Sequence, residues 1–210
     1  MLGRMLKAAD KYIAQELGTS YDQTVIEHIM AEKKKEYSAL LPTIPDLGGM
    51  DNPVYTLMLY SAVNSLAFFK AMEKRAVPAE KTGGIIVSAF EKQMFAYPLF
   101  LRRLFTKFAF SGFALCRLKK RAEASEIRRY PGAWVFRYLD GEAGAFDYGV
   151  DYTECAIVKF YRAHGAESLV KYCCLLDFPM SKALHWGLTR TTTLAEGFER
   201  CDFRFKKGLD

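Results

Sequence analysis

The chain has 210 residues, of which 50% are hydrophobic and 14% aromatic, with 30 Lys and Arg set against 24 Asp and Glu for a net charge of +6. That apolar content builds a sizeable core without disulfide or metal staples, and neither an internal repeat nor a low-complexity tract is visible. The basic excess suits nucleic acid, an anionic surface or an acidic small substrate, and the motifs must choose among these.

Leu2, Met5, Leu6, Ala9, Tyr12 and Ile13 recur at helical spacing. Ser20 with Gln23 forms a capping-box pattern before a second helix, whose apolar face runs through Val25, Ile26, Ile29, Met30, Tyr37 and Leu40. Pro42, Pro45, Gly48 and Gly49 make a connector. Asn52 as cap and Pro53 in the first turn open a third helix. From Val54 to Met72 it is apolar nearly all round, which predicts a central, buried position. Pro78 closes that helix, and Gly83-Gly84 reads as a turn before a fourth with Ile85, Ile86, Ala89, Phe90 and Met94. Pro98 starts a fifth, with Leu101, Leu104, Phe105, Phe108, Gly112 and Leu115 on one side. Arg117, Lys119, Lys120 and Arg121 are expected at its end, complementing the helix dipole and facing solvent.

The period changes after Pro131. Trp134, Phe136 and Tyr138 alternate with Val135, Arg137 and Leu139; Asp140-Gly141 signals a turn; Phe146, Tyr148 and Val150 alternate again. This predicts a hairpin with an aromatic face. Two helices follow, about 152–163 and 167–180, with Gly165 between them. Leu188 to Leu194 alternates as a strand, Glu196-Gly197 turns the chain, and Cys201, Phe203 and Phe205 alternate in a last strand. The predicted fold is α+β: a helical N-terminal half packed on a C-terminal antiparallel sheet of about four strands with two inserted helices. We expect a single domain over 1–210, with residues 1–50 as its N-terminal helical part.

Five cysteines, an odd number in a chain of this size, together with a charged amphipathic opening, predict reduced thiols and a cytoplasmic location. No helix-turn-helix, zinc-finger or RNA-binding signature is present, so nucleic acid is not an expected partner. Val54–Phe69 falls short of the ~20 apolar residues of a membrane span, and Arg102, Arg103 and Lys107 interrupt Met94–Cys116. No membrane partner is expected on that ground.

The last third carries the most specific pattern: Asp151-Tyr152-Thr153-Glu154-Cys155; Gly165 and a helix reaching Cys174-x-x-Asp177; Leu188-Thr189-Arg190-Thr191-Thr192-Thr193-Leu194-Ala195-Glu196-Gly197; and Cys201-Asp202-Phe203-Arg204-Phe205. This ordered set, within about 130–207, resembles the L-2-amino-thiazoline-4-carboxylic acid hydrolase family. The resemblance implies hydrolysis of a cyclic isothiourea-like amino acid, in which water opens a thiazoline ring at its C–S bond and leaves a carbamoyl-cysteine. The alternatives are a non-catalytic small-molecule-binding module of the same fold and a homodimeric interaction protein built on the aromatic hairpin.

Cys155 is placed near a helix N-terminus, where Asp151 and Glu154 form a capping box and the dipole favours a thiolate; it is either the nucleophile or a buried structural thiol. Cys174 and Asp177 lie three apart on one helix and can face the same space. Asp177 reads as a general base or as the partner of an arginine, Arg190 or Arg204. Arg190, ahead of Arg204, suits capture of a ligand carboxylate, with Thr191 and Asp202 beside them, whereas cross-strand ion pairs are the structural alternative. Cys155, Cys174, Cys201 and His185 match no zinc spacing, so neither metal nor cofactor is expected. His185, next to Trp186, reads as structural.

Overall fold

A computed structural model describes residues 2–48 and 53–208. Six helices come first: α1 (Leu2–Leu17), α2 (Gln23–Leu40), α3 (Pro53–Glu73), α4 (Ala79–Ala96), α5 (Leu99–Ala109) and α6 (Gly112–Glu126). A hairpin, β1 (Val135–Glu142) and β2 (Phe146–Glu154), leads into α7 (Ala156–Ala163), α8 (Glu167–Leu175) and α9 (Asp177–Leu184). Strands β3 (Leu188–Thr189) and β4 (Cys201–Phe205) complete an antiparallel sheet of order β1-β2-β4-β3. The fold is thus α+β, with the helical half against a four-stranded sheet.

Helix α3 is buried as its composition predicts. Leu59, Val63, Leu66, Ala67, Phe68 and Met72 have no exposed surface, and α2 and α4 pack along it. A Lys33–Asp10 ion pair of 2.5 Å, joined by Asn64 Oδ1 2.5 Å from Lys33 Nζ, ties α1, α2 and α3 together. The sheet has two unlike faces because side chains alternate along each strand. Phe136, Tyr148, Val150, Cys201 and Phe205 are buried on one, where Tyr148 stacks on Phe205 at 4.8 Å between ring centres. Arg137, Asp151, Asp202 and Arg204 occupy the other. Trp134 and Phe136 are thus interior, and Tyr138 is half-buried.

Several expectations are corrected. Asp22, not Ser20, caps α2 by accepting from Val25 N at 2.9 Å. The Asn52 cap and Gly49 fall outside the described residues. Gly83 and Gly84 lie inside α4; Gly83 has no side chain because the Tyr172 ring fills the space. The helix after Pro98 breaks at Ser111, whose hydroxyl caps α6 through Ala114 N. The cations Arg117 to Arg121 are therefore in mid-helix. The hairpin turn is 143–145, while Gly141 stays in β1, where a Cβ would collide with the Asp147 carbonyl. Strand β2 continues through Asp151 and Glu154, so these cannot cap α7. Among the described residues no helix is long and apolar enough to cross a membrane.

Candidate active site

The helix pair predicted after β2 contains a kink that places Asp177. Pro179 has no N–H to give the Leu175 carbonyl, so α8 stops at Leu175 and α9 begins at Asp177. The carboxylate of Asp177 is aimed at Arg190, whose Nη1 donates to Oδ2 at 2.6 Å while Nη2 donates to the Cys174 carbonyl at 3.1 Å. The Arg190 guanidinium carbon lies 5.0 and 5.1 Å from the ring centres of Phe178 and Phe203, and the side chain is 5% exposed. Two of its donors are thus engaged within the fold, one of them on Asp177.

Asp177 lines a mostly apolar cavity of about 280 Å³ between α1, α3, α4 and the α8–α9 kink, with Cys173, Asn64 and Gln93 among its few polar groups. Burial pushes the Asp177 carboxyl up to about 6, against the downward pull of the Arg190 charge and hydrogen bond. At neutral pH it is ionised yet basic enough to take a proton.

Burial raises the thiols of this region, and Cys173, Cys174 and Cys201 also lie in the field of Asp177. Burial lifts Cys155 to about 11, although the amides of Val158 and Ile157 at the start of α7, and the Trp134 indole, work in the other direction. Cys155 does sit at the N-cap of α7, but burial acts on its thiol against the helix N-terminus, which favours the structural of the two readings. Burial also lifts Cys173 to about 12, against the pull of the Tyr161 hydroxyl 2.9 Å away. That hydroxyl also lies 2.7 Å from the Ala62 carbonyl, to which it donates. Cys174 is raised by burial and by the fields of Cys155 and Asp177; Cys201 is raised by burial while accepting from Leu194 N at 3.1 Å. These mutual fields mark Cys155, Cys173, Cys174, Cys201 and Asp177 as one neighbourhood.

Arg204, Asp202 and Thr191 do not join it. Arg204 Nη1 donates to Asp151 Oδ1 at 2.7 Å on the far face of the sheet. Asp202 accepts from Thr191 N and Oγ1 at 2.9 and 2.5 Å, and from Thr192 N and Oγ1 at 2.6 and 2.9 Å. Partial burial pushes the Asp202 carboxyl up, but these donors prevail and hold it at about 2. Asp202 is a clasp that takes two strand amides out of the ladder, which is why β3 ends at Thr189 instead of running to Leu194. Of Cys155, Asp177, Arg190 and Arg204, expected in one region, Asp177 and Arg190 are paired at 2.6 Å, and Arg204 lies on the far face of the sheet. His185 caps α9 in the left-handed region at φ 52°.

Two features escaped the sequence reading. The Tyr55 and Tyr152 hydroxyls meet at 3.5 Å, and Tyr152 lies within the field of Asp177. On the Tyr55 side, a cleft of about 560 Å³ has Tyr55, Trp134 and Phe136 in its wall and is lined by Arg117, Lys120, Arg121, Arg128 and Arg129. The spacing of Arg117, Lys120 and Arg121 puts them on one helix face, a signal available once α6 is extended past them. Among the described residues no three His, Cys, Asp or Glu side chains are grouped to hold a metal ion.

A protein-family model described as L-2-amino-thiazoline-4-carboxylic acid hydrolase matches residues 56–205. No curated protein and no solved structure gives a significant match.

Proposed function

The chain belongs to the L-2-amino-thiazoline-4-carboxylic acid hydrolase family, and on that premise we propose that it hydrolyses a small cyclic amidine of the thiazoline type bearing a carboxylate. The observation that carries this reading is Asp177: a buried carboxylate with its pKa raised to about 6, at the wall of an apolar cavity and braced by Arg190. Asp177 takes a proton from water as the oxygen attacks the amidine carbon. The second proton of that water passes from the added hydroxyl to the ring nitrogen as the carbonyl forms, the ring C–S bond breaks, and the proton held by Asp177 passes to the departing sulfur. One water is consumed and the open product is a carbamoyl thiol. The neighbouring thiols are neutral, so a water route suits them better than covalent attack by Cys155 or Cys174. These two shape the pocket, and Arg190 keeps Asp177 charged. The basic cleft on the Tyr55 side, separate from this cavity, draws anions towards the molecule.

The test is incubation with 2-aminothiazoline-4-carboxylate and related cyclic amidines, with mass spectrometry for products one water heavier. Asp177→Asn should lower turnover by about 10²- to 10⁴-fold, the range for losing a general base. Cys155→Ser should keep most activity. Undiminished turnover in Asp177→Asn would end the base assignment, and loss of turnover in a folded Cys155→Ser would return the chemistry to the thiol. No hydrolysis of any cyclic amidine would remove the substrate class.

A further inference from the structure

Helix α5 is amphipathic the wrong way round for a helix of a water-soluble surface. Two of its four polar side chains face the protein: Arg102 Nη1 donates to the Ala183 carbonyl at 2.9 Å, and buried Thr106 donates to the Leu184 carbonyl. Its apolar side chains face outward. Phe100, Leu104, Phe105 and Phe108, joined by Phe113 of α6, are exposed by between 51% (Phe105) and 68% (Phe100). Phe108 and Phe113 meet at 6.5 Å across the α5–α6 turn, so the two helices present one continuous apolar surface. A patch of this kind on a folded chain marks an interaction site.

The charge beside it identifies the occupant. From Lys92 to Ala122 the chain has eight Lys and Arg and no Asp or Glu, more than the whole chain's excess of +6, so the rest is slightly acidic. Arg103 and Lys107 stand exposed on α5 among the phenylalanines. A second copy of this chain fits poorly. A two-fold axis through the middle of α5 would set these cations against their own copies, with no carboxylate on either helix to pair them. Aromatic and leucine side chains interleaved with Arg and Lys on a short exposed helix match a lipid–water interface of negative charge. We propose that α5 and the first turn of α6 form a peripheral docking surface for anionic membranes. The helix is about 16 Å long and lies in the plane of the interface; it does not span it. The expectation of no membrane partner rested on the lack of a span, and an interfacial helix needs none.

The test is sedimentation with vesicles of phosphatidylcholine alone and of phosphatidylcholine mixed with phosphatidylserine. A second readout is an environment-sensitive dye on Cys116, which is exposed on α6 whereas Cys155, Cys173, Cys174 and Cys201 are not. The protein should partition onto the mixed vesicles, with a blue shift of the dye, and release as salt is raised. Phe100→Ser with Phe108→Ser should lower partitioning by tenfold or more, on the order expected for two lost aromatic insertions. Arg103→Glu with Lys107→Glu should lower it by about fivefold or more per cation, on anionic vesicles alone. All four positions are exposed, and unchanged circular dichroism and melting confirm that each variant is folded. Absence of partitioning onto anionic vesicles overturns the proposal. So does a stable dimer in solution that the Phe100→Ser, Phe108→Ser variant converts to monomer, since the face then belongs to a second copy.

Discussion

Asp177 and Cys155 share a neighbourhood, and burial acts on both in the same sense with opposite chemical results. A carboxyl raised to about 6 becomes a useful base, while a thiol raised to about 11 becomes inert. The rate of hydrolysis should therefore rise with pH through a limb near 6 and level off above it, as Asp177 loses its proton. Arg190 holds that pKa down, so Arg190→Gln should move the limb to higher pH; an unmoved limb would detach Arg190 from Asp177. The thiols give an independent check. Brief iodoacetamide treatment near neutral pH should modify exposed Cys116 first, with Cys155 slow, as read by peptide mass spectrometry. Asp202 is the reverse case. Its carboxyl, at about 2 against an ordinary 3.8, contributes stability that is fully present above about pH 4 and lost as pH falls through 2. Asp202→Ala should lower the urea midpoint at neutral pH and flatten its dependence between about pH 4 and 2.

The long periodic elements were legible because composition alone determines their burial: α3 is apolar on every side, and the hairpin alternates. The breaks were not, since each depends on one residue in context. Ser111 ends a run of apolar periodicity by capping a new helix, Pro179 splits α8 from α9, and Asp202 withdraws the amides of Thr191 and Thr192 from β3. Of the candidate residues, Asp177, Arg190 and the Cys174 backbone are joined by hydrogen bonds, and helix spacing with motif order already put them close. Thr191, Asp202 and Arg204 were assigned with them, but the alternation of β4 sends Asp202 and Arg204 to the opposite face. Cys173 and Tyr161 carry no sequence signal beyond ordinary core residues. The Gly83-Gly84 pair offers a test at this scale. A Cβ on Gly83 would lie 2.1 Å from the Tyr172 ring, whereas Gly84 meets nothing within 4 Å. Gly83→Ala should destabilise by about 1–3 kcal/mol through overpacking between α4 and α8. Gly84→Ala should stabilise by up to about 1 kcal/mol through helix propensity. Urea denaturation of the pair separates the two effects, and equal shifts would remove the packing argument.

At the scale of the molecule, the family match begins at residue 56 and leaves α1 and α2 outside, yet these helices cover α3. Ile26 and Ile29 of α2 are buried alongside Leu59, Val63 and Leu66. A chain starting at residue 53 would bare that face, and Asn64 would lose both Lys33 and Asp10. It should aggregate or unfold without a cooperative transition, while the full chain should melt in one step by calorimetry; a well-folded truncated chain would show that the two parts are independent. The placement of charge has a further consequence. With eight cations and no carboxylate between Lys92 and Ala122, and a slightly acidic remainder, the molecule is a dipole as well as a base. In dilute buffer such particles attract one another end to end, so turbidity should appear on desalting and clear reversibly near 0.1 M salt, where the screening length falls to about 10 Å. Light scattering during dialysis would follow this salting-in, and reversal of charge at Arg103 and Lys107 should weaken it.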